Sequence, residues 1–335
     1  MHLPLIISFI LLNIFIYFNI NWFIKKFNIY DNPNKNTVHK KKTSLIGGTI
    51  LFINISLFLI YSKINFLDYF ISNQELISFF IIISGFYVVG LYDDKYKLSP
   101  LSRIILMSFT LYVSMTLNHS FQISKIDFSF INKRIYLDDL SIFSSIICVL
   151  IFTYALNMFD GINLQSITYC TFIFFIFYLL STFEVFYLII IICLSFLFSL
   201  NLKNKIFLGD SGIYILGAFI SLVVISEYNK QSIKFFADDI FILMMIPGLD
   251  FIRVFMIRVS KGRNPFLGDK NHLHHLMINK FGFLKSYLFT VFLYVSPLLL
   301  KLIHMSNAYI IMFYIIFYNI LYLYLKNKFF TKKYK

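Results

Sequence analysis

The chain has 335 residues, of which 59% are hydrophobic and only 14% charged, and its mean hydropathy is +0.77. A soluble domain carries about 25% charged residues, and one water-soluble core cannot hide this much apolar surface. Composition therefore excludes a soluble enzyme, a disordered chain and a nucleic-acid-binding domain, and the net charge of +14 reads as basic loops beside a membrane.

A membrane span needs roughly 20 apolar residues. Windows of that size predict spans at 3–24, 45–62, 76–92, 101–118, 139–157, 164–181, 183–201, 211–227, 239–258, 286–304 and 307–325. The fold expected is an all-α polytopic membrane protein with about 11 transmembrane helices, one domain over 1–335. The first apolar run lacks a basic leader and a small-residue cleavage site, so it reads as a retained helix rather than a signal peptide. Cys148, Cys170 and Cys193 all lie in apolar runs without CxxC spacing, and they read as small apolar fillers.

Orientation follows from Lys and Arg. Alternate loops divide the 30 basic residues into 22 on one side and 7 on the other, with Arg253 inside a span. The basic set faces the cytoplasm by the positive-inside rule, which puts the N-terminus outside and the C-terminus inside.

Five polar clusters fall on that cytoplasmic side, where ionisable groups at a membrane boundary mark sites. The first, residues 30–48, carries Asp31, His39, Lys40–Lys42 and Gly47–Gly48. It reads either as a lipid-headgroup anchor or as an anion-binding loop in which His39 and Lys40 meet a phosphate. The second holds the adjacent carboxylates Asp93 and Asp94, followed by Lys95, Lys97 and Arg103. Two like charges side by side repel unless a cation lies between them, which suits a metal site or a general base. In the third, Asn157 and Asp160 are three apart and share a face if the end of the span is helical, and Asp160-Gly161 reads as a turn leaving the span. In the fourth, Asp210 precedes a span as an N-cap or as a hard oxygen ligand for Mg²⁺.

The fifth cluster, residues 262–277, contains His272, His274 and His275. Their spacing is too tight for zinc, and contacts to phosphate suit them better. Asp250 and Arg253, in the preceding span, can pair with each other. On the opposite side Asp68, Glu75, Asp138, Asp139, Asp238 and Asp239 form no such cluster and are expected to be solvated loop residues.

Acids, hard ligands for Mg²⁺, basic side chains and glycines at one membrane face suit phosphoryl transfer between a soluble and a lipid phosphate. No GxxxxGK[ST] loop is present, so nothing in the sequence supports ATP-driven transport.

Across residues 30–280 these motifs resemble, in order, those of the polyprenyl-phosphate N-acetylhexosamine-1-phosphate transferases, relatives of the phospho-MurNAc-pentapeptide translocase. The form NPFLGDKNHLHH at 264–275 looks like the GlcNAc-1-phosphate group. The resemblance implies transfer of a sugar-1-phosphate from a UDP-N-acetylhexosamine to undecaprenyl phosphate, release of UMP, and the start of cell-surface polysaccharide synthesis at a bacterial inner membrane. It implies Asp93 and Asp94 as the catalytic acidic pair near the lipid phosphate, and Asp210 with Asn157 as ligands of Mg²⁺ (or Mn²⁺). Asp160, Asn163, Arg103, His272, His274 and His275 are implied at the nucleotide and diphosphate, and His39 and Lys40 at the lipid phosphate. Relatives also suggest a homodimer.

This chain departs from the family pattern in places. Asn36 and Thr37 stand where an Arg-Lys pair is usual, Ile213 where a serine is usual, and residues 160–165 read DGINLQ where many members have DGIDGL. These departures bear on which amino sugar is used. Two other readings are a transporter or flippase for a lipid-linked sugar, whose charges should line a path through the midplane, and an inactive scaffold relative.

Overall fold

A computed structural model describes residues 3–31, 42–65, 72–181, 184–230, 235–264 and 271–326. His39 and Lys40 of the first cluster, and Asp68 on the other side, lie outside the described residues. The chain is built almost wholly of helices. In order these are α1 (Leu3–Phe18), α2 (Ile20–Phe27), α3 (Gly47–Ile64), α4 (Asn73–Tyr96), α5 (Pro100–Leu117), α6 (Ser141–Phe159) and α7 (Gln165–Leu180). There follow α8 (Glu184–Leu202), α9 (Gly209–Lys230), α10 (Ala237–Ser260), α11 (Leu273–Phe281), α12 (Phe283–Leu302) and α13 (Asn307–Lys326).

Ten of the eleven predicted spans each fall on one helix, and the first, 3–24, is divided between α1 and α2. Among the described residues nine helices are long and apolar enough to cross a membrane, and α1 with α2 makes a tenth if their 70° bend interrupts one span. Helix α7, at 16 residues, is shorter than a usual span. The sequence did not foretell α11, which is too short and polar for a span window. It also did not foretell two small antiparallel pairs, β1 (Tyr30–Asp31) with β2 (Thr43–Ser44) and β3 (Lys125–Phe128) with β4 (Ile131–Tyr136).

Helix α9 is the axis of the bundle and is buried along nearly its whole length. Small residues make this possible, because helices in an apolar medium approach closely only where side chains are small. A Cβ on Gly48 of α3 would stand 2.3 Å from the backbone nitrogen of Gly212, and one on Gly90 of α4 would stand 2.4 Å from the Cα of Ser211. Both contacts sit at the first turn of α9. Local caps set the neighbouring starts: the Ser72 hydroxyl accepts from the Glu75 N–H (3.1 Å), and the Ser99 hydroxyl accepts from the Ser102 N–H (3.1 Å) ahead of Pro100. A buried amide pair, Asn13 Nδ2 to Asn54 Oδ1 at 2.8 Å, joins α1 to α3.

The end of the bundle that holds Glu75 and Asp238 corrects the expectation of solvated acids. Glu75, Asp238 and Asp239 are buried. Glu75 meets Lys230 at 3.0 Å, Asp238 accepts the Ser129 N–H at 2.8 Å, and Asp239 pairs with Lys301. Buried Glu227 accepts from Tyr187 (2.8 Å) and Ser181 (3.0 Å). These acids fasten helix ends and the β3–β4 hairpin to one another, because a carboxylate at a bundle end is inexpensive only when paired. Asp138 and Asp139 remain open, as expected.

Candidate active site

The site is assembled at the other end of the bundle, where α4, α6 and α8 finish and α7 and α9 begin. Backbone pairing brings the first and fourth clusters together. The Phe207 N–H donates to Ser44 O (2.8 Å), and the Gly47 and Gly48 N–H groups donate to Phe207 O (3.0 Å) and Leu208 O (2.9 Å). The chain then turns at Gly209, whose φ of +70° is the left-handed region that glycine enters without strain.

Asp94 occupies the start of α9. Its Oδ1 accepts the Asp210 N–H at 2.7 Å and its Oδ2 accepts the Ser211 N–H at 3.1 Å. Two of the free amides of α9 are therefore satisfied by a carboxylate from α4, and of the two readings of Asp210 the N-cap one is corrected. Asp210 lies inside the first turn, and a Cβ at Gly209 would reach within 2.7 Å of the Asp94 carboxylate. Relieved of capping, the Asp210 side chain turns to the pocket. Its Oδ1 accepts from Asn157 Nδ2 (2.8 Å), and Lys97 Nζ stands 3.9 Å from its Oδ2.

Asp93 points elsewhere. One oxygen accepts the Leu98 N–H (2.8 Å), and the other meets Arg103 Nη1 (2.8 Å) and the Tyr214 hydroxyl (3.0 Å). The repulsion expected of adjacent acids is removed by direction and by partner: Arg103 neutralises Asp93, while backbone amides hold Asp94.

The pocket between these elements has a volume of about 320 Å³. Asp94, Asp160, Asn163, Asp210, Lys97 and His275 line it on the polar side. Leu45, Ile162 and Leu164 line it as buried apolar residues. Asp160 opens to the pocket while protein crowds its other sides. Asp160 itself is exposed to the pocket, and the protein packed around it, with the charge of Asp210 added, pushes its pKa up to about 7.

The histidine stretch divides. His275 reaches the pocket. His272 is buried with Nδ1 2.6 Å from Asp250 Oδ2. Asp250 also accepts from Arg253 (2.8 Å), Tyr318 (2.7 Å) and the Leu273 N–H (2.9 Å), which bears out the Asp250–Arg253 pairing. His274 is buried against Gly161, and burial holds its pKa well below that of free imidazole, so it is neutral at pH 7.

The structure thus brings Asp94, Asp160, Asn163, Asp210 and His275 to one pocket, with Asn157 bonded to Asp210. Asp93, Arg103, His272 and His274 stand behind its walls as supports. Sequence reasoning missed Asn201, which lines the pocket, accepts the Leu164 N–H (2.9 Å) and donates to Ile206 O (3.1 Å). Its signal was a lone amide at the end of an apolar run. It also missed Tyr214, which carried no signal at all.

No group of three or more His, Cys, Asp and Glu among the described residues is arranged to hold a metal alone. Asp210, facing the pocket beside Asn157, fits a Mg²⁺ ion of the kind that takes one or two protein carboxylates and completes its shell with phosphates and water.

Residues 76–227 match the family model of glycosyl transferase family 4. The glycosyl transferase family 4 match runs from α4 into α9 and so includes Asp93, Asp94, Asn157, Asp160 and Asp210. Three similar proteins are each named undecaprenyl-phosphate alpha-N-acetylglucosaminyl 1-phosphate transferase. The Thermotoga maritima protein is 26% identical over 296 residues, covering 85% of this chain and 84% of the relative. The Salmonella typhi protein is 24% identical over 265 residues, 76% of this chain and 70% of the relative. The Escherichia coli (strain K12) protein is 22% identical over 287 residues, 82% of this chain and 76% of the relative. The resemblance read from the motifs is borne out.

Proposed function

We propose that this chain transfers an N-acetylhexosamine-1-phosphate, with GlcNAc-1-phosphate first in order, from a UDP-sugar to undecaprenyl phosphate and releases UMP. A phosphate oxygen of the acceptor attacks the sugar-linked phosphorus. The new P–O bond forms as the diphosphate bridge breaks, and the bridging oxygen leaves with UMP. The observation that carries this reading is the convergence of Asp94, Asp160, Asp210, Lys97 and His275 on one pocket, at one end of a bundle of membrane-capable helices.

Mg²⁺, for which Mn²⁺ is a substitute, would neutralise the diphosphate when bound at Asp210 and Asn157. Asp94 fixes the first turn of α9 and thereby aims Asp210. Asp93 fixes Arg103. Lys97 and His275 are placed to balance phosphate charge. Acceptor phosphate has a second pKa near 6 and needs little help to ionise at pH 7, so positioning carries more of the rate than base catalysis. Alignment of the acceptor falls to the pocket rather than to Asp93, whose oxygens are already taken.

The protein is read as a multi-pass inner-membrane enzyme with eleven spans, its N-terminus outside and the pocket facing the cytoplasm, and as a homodimer by the family resemblance alone. Purified protein given UDP-GlcNAc, Mg²⁺ and undecaprenyl phosphate should release UMP. A transporter or a scaffold releases none, and that outcome would remove the proposal.

A further inference from the structure

The turn that carries Asp160 is held in an unusual conformation. Leu164, its last residue before α7, has φ +70°, a region L side chains rarely adopt. Strain of this kind persists only where the surroundings over-determine it. One restraint is plain: Asn201 Oδ1 accepts the Leu164 N–H. The opposite flank of the turn holds a second.

Gln165 opens α7 and is 2% exposed, yet neither its Nε2 nor its Oε1 has a hydrogen-bond partner. His274 is 3% exposed, and its Nε2 also has none. Both side chains line one small cavity of about 10 Å³, together with Asp250 and Thr290. That size is about the least that accepts a single water. Buried polar atoms in folded proteins are almost always paired, and one water supplies both donors and acceptors.

We propose, relying for the catalytic consequence on the transferase reading above, that a water held between the Gln165 amide and His274 Nε2 ties α11 to the Asp160 turn. Gln165 is then a positioning residue for the pocket. His274 completes the tie, because its ring lies against Gly161, where a Cβ would come within 1.8 Å of Nε2. His274 is neutral, so its Nε2 can donate or accept according to tautomer.

The departure from DGIDGL fits this tie. Leu164 stands where the motif has glycine, and Gln165 where it has leucine. A glycine would adopt φ +70° without strain and would need no second restraint. The leucine adds the strain and the glutamine adds the restraint, so the two changes belong together.

Three full-length variants in detergent test this: Gln165→Leu, Gln165→Glu, which keeps an oxygen and can donate when protonated, and the double change Leu164→Gly with Gln165→Leu. In hydrogen–deuterium exchange without substrates, Gln165→Leu should speed exchange of residues 160–166 by about tenfold, the effect of leaving a buried polar group unpaired. Gln165→Glu and the double variant should stay near wild type. In the UMP assay, Gln165→Leu should raise KM for UDP-GlcNAc by about tenfold and leave KM for undecaprenyl phosphate unchanged. Wild-type exchange in Gln165→Leu overturns the tie, as does a double variant looser than the single one. Faster exchange with both KM values unmoved overturns the positioning role. If the wild type releases no UMP while exchange still separates the variants, the transferase reading falls and the tie stands.

Discussion

The two ends of the bundle use carboxylates in opposite ways. At the far end Glu75, Glu227, Asp238 and Asp239 are buried and bonded to Lys230, Tyr187, Ser129 and Lys301. At the pocket end Asp94 and Asp93 are consumed by backbone amides and Arg103, and their engagement leaves Asp210 and Asp160 facing open space. An acid with a full set of partners stabilises a fold, whereas an acid kept short of partners is available to a ligand. The contrast between the ends, more than the number of acids, locates the site.

The largest effect that could break this contrast is at Asp210. Asp210→Ala should reduce UMP release by about a hundredfold or more, the scale for removing one group that stabilises developing charge. Asp94 would still cap α9, so thermal unfolding should stay close to wild type. Near-normal turnover would return Asp210 to the class of the far-end acids.

Next in size is the mirror experiment. Glu75→Ala removes the carboxylate that stands 3.0 Å from Lys230, and breaking a buried pair costs about 3 kcal/mol or more. Denaturation in detergent should show that loss, while KM values measured well below the melting temperature should hold. A changed KM with unchanged stability would mean that the far end also contributes to a binding site.

These two outcomes bear on what the sequence could tell. Helices were legible because apolar windows of about 20 residues have few other uses, and every predicted span but the first coincides with one helix. Asp94, Asp160, Asp210 and His275 were legible as polar clusters at span ends on one side. Their division of labour was not. Adjacent residues on a helix point about 100° apart, but which of Asp93 and Asp94 meets a cation depends on where α5 and α9 lie. The far-end acids were misread for the same reason, since partners such as Lys230 and Lys301 are remote in sequence from the groups they satisfy. Within the histidine stretch, composition alone cannot say that His272 and His274 turn inward while His275 turns to the pocket.

A subtler way to sharpen the comparison uses pH. The protein packed around Asp160 and the charge of Asp210 push its pKa up to about 7, although the side chain is open to the pocket, whereas an unfolded aspartate titrates near 3.8. Between those values the folded state binds the extra proton, so this group's contribution makes stability fall as pH rises from about 4 to 7. Asp160→Asn removes the titration. In metal-free buffer its melting temperature should decline less over that range than the wild type's. Parallel pH profiles would mean that Asp160 is as well satisfied as Asp238.

The smallest effects come from two lysines. Lys97 Nζ lies 3.9 Å from Asp210 with 71% of its side chain exposed, so the pair adds little to stability. Its place at the pocket mouth makes it an electrostatic guide for an anionic donor. Lys97→Ala should raise KM for the UDP-sugar by a few-fold, roughly one screened charge, and the difference should shrink as salt is added. Lys301, bonded to Asp239 at the far end, should behave inversely. Lys301→Ala leaves a buried acid short of a partner, so it should lower the melting temperature and leave the salt dependence of KM untouched. If both lysines altered only stability, the pocket would draw no anion through its exposed charge, and the contrast between the two ends would reduce to packing.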